Sequence, residues 1–490
     1  MPLLLSAVRL AVGMLAIVPG ALSQDDLARI YSEAQQAQAA GDLQTATNKY
    51  EAIVRLRPQM AEAYANLGNL YYQQGQADRA KAAYRKAIQI KPELGGPYFF
   101  LGVIAFGEHD YPAALRHLQR AQALQPPNVL IHSYLGYTHY ARSAFREAAG
   151  ELEKAAALGG TDIDVLYHLS KSYGHLARDS YAEMQSQFSD SAYTILARAH
   201  LHETREDWKA ASEQYRLALE KMPDNRRLRE KLQWTQARAA GSPASNPGTN
   251  DELIDASLMY RDSSPSGPKL KEEMVRSQSK LRELLQGAKS DKSVYLIAET
   301  YQVLSFLTSL AVFETDPDSY RAHQLRAQLL EESKNDEGAI EEYRNVLKRK
   351  PDLQNIHFAI GSLYWKEQHF EEARPELEAE LLINPNHPQA LYELGDLFAF
   401  TGETQIAEKY FLEALKLEPG MVEAHFALEK IYTQSGRFEK SLEHLQKALH
   451  ANASDPTAHY RLALVYRKLG RNQDADRELA IFSQKQAAPK

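Results

Sequence analysis

Histidine is the side chain best placed to do chemistry at neutral pH, as a general base or a metal ligand, and this chain has sixteen of them. His200 and His202 form the pair that most invites a metal. Two helical positions apart, they point roughly 200° away from each other, so they cannot easily share one ion. A metal site would have to draw residues from several helices. There is no cysteine, which removes both disulfides and thiolate metal sites. The phosphate-cradling GxxxxGK, the GxSxG nucleophile elbow and the HExxH zinc helix are all absent, and with them the recognisable routes to phosphoryl transfer, acyl transfer and metal-assisted hydrolysis. No cofactor, no metal and no catalytic centre is therefore expected; an enzyme is the least favoured class.

What remains is a large aromatic complement, 27 Tyr and 15 Phe, and the elements that space it. In Ala61 to Pro92, AEAYANLGNLYYQQGQADRAKAAYRKAIQIKP, residues Tyr64, Leu67, Gly68 and Tyr71 fall at i, i+3, i+4, i+7. That spacing puts them on one face of a helix. Ala80, Tyr84 and Ala87 repeat the pattern after the break at Gln74-Gly75. Two helices this short bury too little apolar surface to offset their ordering entropy, so the stretch predicts copies of itself.

The copies appear on stepping by 34 residues. Leu27 to Pro58 carries Ala34, Gly41, Ala46, Tyr50 and Pro58 at equivalent places, and Gly95 to Pro126 carries Tyr98, Leu101, Gly102, Ala114, Ala121 and Pro126. Val129 opens another, and a second phased run opens at Tyr320, Gln354, Pro388, Val422 and Pro456. These units resemble tetratricopeptide repeats, which share this period and these small, aromatic and proline positions. The resemblance implies an all-α fold, a right-handed superhelical solenoid of helix-turn-helix repeats, in two arrays.

It also implies where a partner would bind. In this family the fifth, ninth and twelfth positions of each unit face a concave groove. Carried onto this chain, the first groove receives Tyr31, Asn69, Tyr72, Phe99, Phe106, Tyr137 and Tyr140. The second receives Phe358, Trp365, Tyr392, Asp396, Phe426, Tyr460 and Arg467. Such aromatic faces suit an extended or helical peptide, because rings supply contact area at low entropic cost. Generic family members carry Tyr at the fifth and twelfth positions too, so Phe99, Phe106 and Trp365 are the more distinctive residues. The clamp with which some members hold chaperone carboxyl termini is not supported, since Tyr31, Gln35, Asn66, Gly96 and Phe100 supply only one matching Asn. His132, His323, His357, His425 and His459 sit where the family often has a bulky aromatic and are expected to pack rather than to ligate.

The rhythm fails twice, and in the same way. The units at Ile163 and Asp291 each reach the next repeat, at Ala192 and Tyr320, after 29 residues instead of 34. They align without gaps at an offset of 128, pairing Tyr167 with Tyr295, Tyr173 with Tyr301 and Leu176 with Leu304, which suggests an internal duplication. Both lack a Gly or Pro break between the expected helices, so each is predicted to be one long helix or a tightly turned pair.

The sequence therefore divides into a signal peptide over 1–23, a first array with a capping helix over 25–238, a linker over 239–268, a second array over 269–483 and a disordered tail over 484–490. The linker contains AAGSPASNPGTN, followed by a helical stretch from Glu252 to Tyr260. Residues 1–23 hold a single charge, Arg9, before an apolar run and Ala21-Leu22-Ser23, a secretory signal cleaved near Gln24. No later segment is expected to be apolar enough to cross a membrane. Net charge of −7 gives no electrostatic case for nucleic acid. The expectation is a periplasmic or secreted scaffold of the bacterial cell envelope that binds a protein or peptide partner. The alternative is a structural subunit of an envelope assembly, contacted through array ends such as Leu479, Ile481 and Phe482.

Overall fold

Each regular unit folds into the hairpin its pattern calls for. The computed structural model describes residues 24–159, 162–242, 265–452 and 456–487, and among them finds helices and no strand. The chain is an all-α solenoid of helical repeats, and its contacts divide it into two compact units, Met1–Ala311 and Val312–Lys490. The segment 1–23 expected to be a signal, most of the expected linker with Glu252 to Tyr260, and 488–490 lie outside the described residues.

In the first unit α1 (Gln24–Ala39) pairs with α2 (Leu43–Leu56), α3 (Ala61–Gln73) with α4 (Ala77–Ile90), α5 (Gly95–Gly107) with α6 (Tyr111–Leu124) and α7 (Val129–Ala141) with α8 (Phe145–Ala157). Helix pairing is made possible by a small residue under a large one. A Cβ on Gly68 would lie 2.6 Å from the Tyr84 ring, and one on Gly395 would lie 2.7 Å from the Phe411 ring. Tyr84 and Phe411 are fully buried, and at about 25 cal/mol per Å² of apolar surface each stabilises its hairpin by roughly 2–3 kcal/mol.

The turn between the paired helices needs a left-handed residue. Gly41, Gly75, Gly402, Gly436 and Gly470 supply it, whereas His109, Ser143, Glu206, Lys334 and Gln368 adopt the same positive φ with a side chain attached. That conformation costs a residue other than glycine about 1–2 kcal/mol.

Both irregular units are single continuous helices, α9 (Ile163–Gln187) and α14 (Asp291–Thr315), each of 25 residues. Between them in the chain come α10 (Ala192–Thr204), α11 (Trp208–Lys221), the covering helix α12 (Arg226–Ala239), and α13 (Pro268–Gln286). The sequence reading bounds the second array at 269–483, but the packing places 269–311 in the first unit. Leu281 of α13 and Tyr301 and Leu304 of α14 share one core with Leu169, Tyr173 and Leu176 of α9. Tyr173 and Tyr301, equivalent positions of the duplication, meet with ring centroids 6.1 Å apart. Ser305 Oγ donates to the Ser170 carbonyl at 2.9 Å, and the Tyr181 hydroxyl donates to Glu299 Oε1 at 2.8 Å. One expectation is corrected here: α14 is long and apolar enough, by length and composition, to cross a membrane. Half of its most apolar window is buried inside the protein, as in the core helix of a folded domain.

The second unit stacks α15 (Tyr320–Glu332) with α16 (Asp336–Arg349), α17 (Ile356–Lys366) with α18 (Phe370–Ile383), α19 (Pro388–Phe400) with α20 (Thr404–Leu417), α21 (Val422–Gln434) with α22 (Phe438–Ala451), and α23 (Pro456–Lys468) with α24 (Asn472–Ala487). Helix α24 carries the chain four residues into the stretch expected to be disordered.

Candidate functional site

The first helices of neighbouring hairpins touch one another, α3 with α5, α5 with α7 and α7 with α9 in the first unit, so their outward positions form one wall. Along it Tyr72 lies 5.6 Å from Phe100, Phe100 5.2 Å from Phe99, and Phe99 5.8 Å from Tyr134. Tyr134 is also edge-on to Phe106 and Tyr137, and Tyr137 and Tyr140 flank His168 of α9 at 4.8 and 5.3 Å. Tyr140 continues the row to His175, whose pKa is lowered to about 4 by burial and by the neighbouring Arg178. The His175 imidazole is thus neutral at neutral pH.

Five of the seven expected first-groove residues, Tyr72, Phe99, Phe106, Tyr137 and Tyr140, belong to this row. The other two turn to structural contacts. Asn69 Oδ1 accepts from the Tyr84 hydroxyl at 2.8 Å, and the Tyr31 hydroxyl accepts from Asn66 Nδ2 at 3.0 Å. The residues that join the row together, Phe100, Tyr134 and His168, were not among the candidates. The 34-residue step itself connects them, one position after the fifth, and that was the available signal.

The second unit's candidates separate into smaller groups. Trp365 Nε1 donates to Asp396 Oδ2 at 3.1 Å, and the Trp365 ring lies 6.4 Å from Tyr392. Phe358 stacks near His387 at 4.4 Å. Phe426 lies under Arg461, 4.7 Å from its guanidinium, while Tyr460 packs on Phe482 at 5.3 Å and Arg467 is 3.9 Å from Asp476. The apolar edge of the last hairpin is accordingly half-covered, with Leu479 packed into the terminal core. Trp365, Tyr392 and Asp396 therefore form the one close cluster among these candidates.

Beside that cluster lies a residue the sequence did not single out. Glu393 is only 7% exposed; its Oε1 accepts from Ser362 Oγ at 2.9 Å, and its Oε2 has no hydrogen-bond partner among the described residues. Burial and, to a smaller extent, the Asp396 charge push its pKa up to about 7 against the opposing bond from Ser362. Burial, with Asp396 and Glu423 adding to it, raises the Tyr392 hydroxyl to about 12.

The family-position histidines do pack, and each has a specific polar partner 19 residues on, in the second helix of its hairpin. Nδ1 of His132, His357 and His459 lies 2.6 Å from Glu151, Glu376 and Glu478, and that of His323 lies 2.5 Å from Glu342. In the fifth case the partner of His425 is His444, at 3.0 Å. His200 lies buried 3.4 Å from Glu299, and His202 lies 3.6 Å from Asp207. Among the described residues no group of three or more His, Asp or Glu is disposed to hold a metal ion. The first unit also holds a mostly apolar cavity of about 330 Å³ between α9, α10 and α14, bordered by Tyr181, His200, Glu299 and Arg198.

Comparison with known proteins follows the repeats. Profiles described as Tetratricopeptide repeat match residues 61–94, 101–163 and 320–353, and the Cilia and flagella-associated protein 70 middle TPR-like domain matches 364–485. No curated protein matches the chain. Among solved structures, MamA from Desulfovibrio magneticus RS-1 is similar over 34% of this chain and 96% of its own, at 16% identity and a TM-score of 0.33. YrrB, described as a TPR protein with an unusual peptide-binding site, is similar over 36% and 92%, at 18% identity and 0.32. The Cut9–Hcn1 hetero-tetramer of the APC/C is similar over 95% and 94%, at 15% identity and 0.33.

Proposed function

Because the chain is a tetratricopeptide-repeat protein, and so a protein-interaction scaffold, we propose that it is a non-enzymatic scaffold exported to the bacterial cell envelope, holding a peptide segment or partner protein on its first-helix walls. The observation that carries this is the unbroken aromatic row from Tyr72 to His175. Half-buried rings set side by side are pre-organised: they lose little rotamer freedom when a ligand covers them, and each offers a large apolar face. Export is proposed from Arg9, the apolar run behind it and Ala21-Leu22-Ser23.

The test uses the whole chain. Changing Phe99, Tyr137 and Tyr140 together to Ala is expected to abolish capture of the partner that the parent protein retains from periplasmic extract, with the helical circular dichroism signal preserved. Retained capture by a folded triple variant overturns the first-wall assignment. Export is checked by N-terminal sequencing of the protein recovered from cells, expected to begin near Gln24.

A further inference from the structure

The second unit's wall contains two acids, Glu393 and Asp396, that no basic side chain pairs with among the described residues. We propose that Glu393 and Asp396 on α19, with Trp365 on α17 and Tyr392, form a seat for a single basic side chain, Lys or Arg, of a bound peptide. This rests on the scaffold reading above and adds the chemistry of the partner.

Four observations converge. Glu393 is 93% buried and its Oε2 is an acceptor with no donor; an acceptor left so costs about 1–3 kcal/mol, and a bound ammonium or guanidinium removes that cost. Asp396, 3.1 Å from Trp365 Nε1, uses Oδ2 for the indole and adds a second negative charge within one helical turn. Trp365 and Tyr392, with centroids 6.4 Å apart and rings inclined at 68°, add aromatic surface, the indole meeting Asp396 through its N–H edge, and a cation that covers a ring face gains from the π-system as well as from the carboxylate. Finally, neither acid forms an ion pair with a basic side chain among the described residues, whereas the wall's basic groups further along are already engaged, Arg461 with Glu429 at 2.9 Å and Arg467 with Asp476 at 3.9 Å.

The geometry orders the contacts. The ring of Trp365 and the carboxylate of Asp396 are half-buried and meet the ligand first; Glu393 lies beneath them. A long aliphatic stem laid over Trp365 and Tyr392 brings its charged end to Asp396 and then to Glu393, so arginine and lysine fit and histidine falls short. The groups that act on Glu393 are Asp396 on its own helix and Ser362 on α17, and Glu423 on α21 acts on Tyr392. All the charged ones are acids. Burial, and to a smaller extent the Asp396 charge, holds a proton on Glu393 near neutrality in the free protein, so seating a cation releases that proton and binding tightens as pH rises through 7.

The full-length chain is panned against a random displayed dodecapeptide library. Recovered peptides are synthesised with a fluorophore and titrated by anisotropy against the parent protein, E393Q, D396N and the triple F99A/Y137A/Y140A. The expected result is a set of peptides that share one Lys or Arg and still bind the triple variant, are weakened about 10- to 100-fold by E393Q or by replacing that residue with norleucine, and are weakened no further when both changes are combined. D396N keeps an acceptor for Trp365 and so reports charge alone; it is expected to weaken the same peptides. Affinity for the parent rises between pH 6 and pH 8, and E393Q flattens that rise. Peptides without a shared basic residue, or an E393Q effect under twofold, overturn the seat while leaving the scaffold reading intact. A library that yields no binder overturns both. Misfolding does not confound the comparison, because E393Q removes a buried charge and is expected to unfold at a higher temperature than the parent at pH 8.

Discussion

The walls of the two units are built on the same helical positions and differ in what one of those positions holds. Stepping by 34 residues, the place after the fifth reads Asn66, Phe100, Tyr134, His168 in the first unit and Ala359, Glu393, Ala427, Arg461 in the second. In the first unit Phe100, Tyr134 and His168 join neighbouring rings into one aromatic row. In the second, Ala359 and Ala427 break the row, and Glu393 and Arg461 place an acidic and a basic residue there. A repeat backbone thus sets where a binding residue stands, and substitution at one register position decides whether the wall reads apolar surface or charge.

The largest expected effect bears on that charge. Glu393 keeps its proton to about pH 7 in the folded protein but releases it near the ordinary carboxyl value when unfolded. The unfolded chain therefore gives up its proton first as pH rises, and stability is lost across that window. E393Q should remove the loss: the gain over the parent is on the order of 2–3 kcal/mol at pH 8, and close to nothing at pH 4. Urea unfolding at the two pH values measures it. An equal gain at both would mean that Glu393 is not the group held protonated, and the contrast between the walls would lose its electrostatic content.

A smaller effect separates hairpins within the second unit. Four hairpins of the chain join a first-helix His to a second-helix Glu, and the α21–α22 hairpin joins His425 to His444. Burial, and then the neighbouring His425 charge, lowers the pKa of His444 to about 4, so the unfolded chain takes up a proton near pH 6.5 while the fold refuses it. Stability is lost as pH falls from about 6.5 towards 4. Replacing His444 with Glu restores the pairing used elsewhere and should stabilise by roughly 1 kcal/mol more at pH 5 than at pH 8. Thermal unfolding at both pH values tests this; no difference would mean the His–His pair is as good an acid-resistant staple as His–Glu.

The smallest effect concerns turns. In the first unit His109 and Ser143 hold left-handed turns that Gly41 and Gly75 hold elsewhere in it, and in the second Lys334 and Gln368 stand where Gly402, Gly436 and Gly470 stand in the later hairpins. His109→Gly and Ser143→Gly should each stabilise by about 0.5–1 kcal/mol, strain relief outweighing the added freedom of the unfolded chain. Denaturation midpoints that fall instead would show that side-chain contacts, such as His109 Nδ1 with the Tyr111 hydroxyl at 2.9 Å, hold those turns.

Much of the fold was legible because it is local. Helix positions follow from apolar residues at helical spacing, hairpin pairing from Gly68 under Tyr84 and its copies, and the continuity of α14 from the missing Gly or Pro between Val294 and Phe313. Each of these depends on residues within one or two units of each other, where spacing alone fixes geometry. The first wall was legible for the same reason: positions one period apart lie side by side.

What sequence did not reach depends on neighbours distant along the chain or on environment. The sequence reading drew the second array from 269, and only the shared core of Leu281, Tyr301 and Leu304 with Tyr173 puts 269–311 in the first unit. An apolar stripe declares that it must be covered without declaring by what. Glu393 reads in sequence as one of many acids, and only the packing of α17 against α19 removes it from water, leaves one oxygen without a donor and sets Trp365 and Asp396 beside it. The amino-acid sequence by itself determined the repeat, its period and its aromatic faces, because those are properties of spacing. The tertiary structure decided which helix covers which and which acid is buried, because burial is a property of everything packed around a residue.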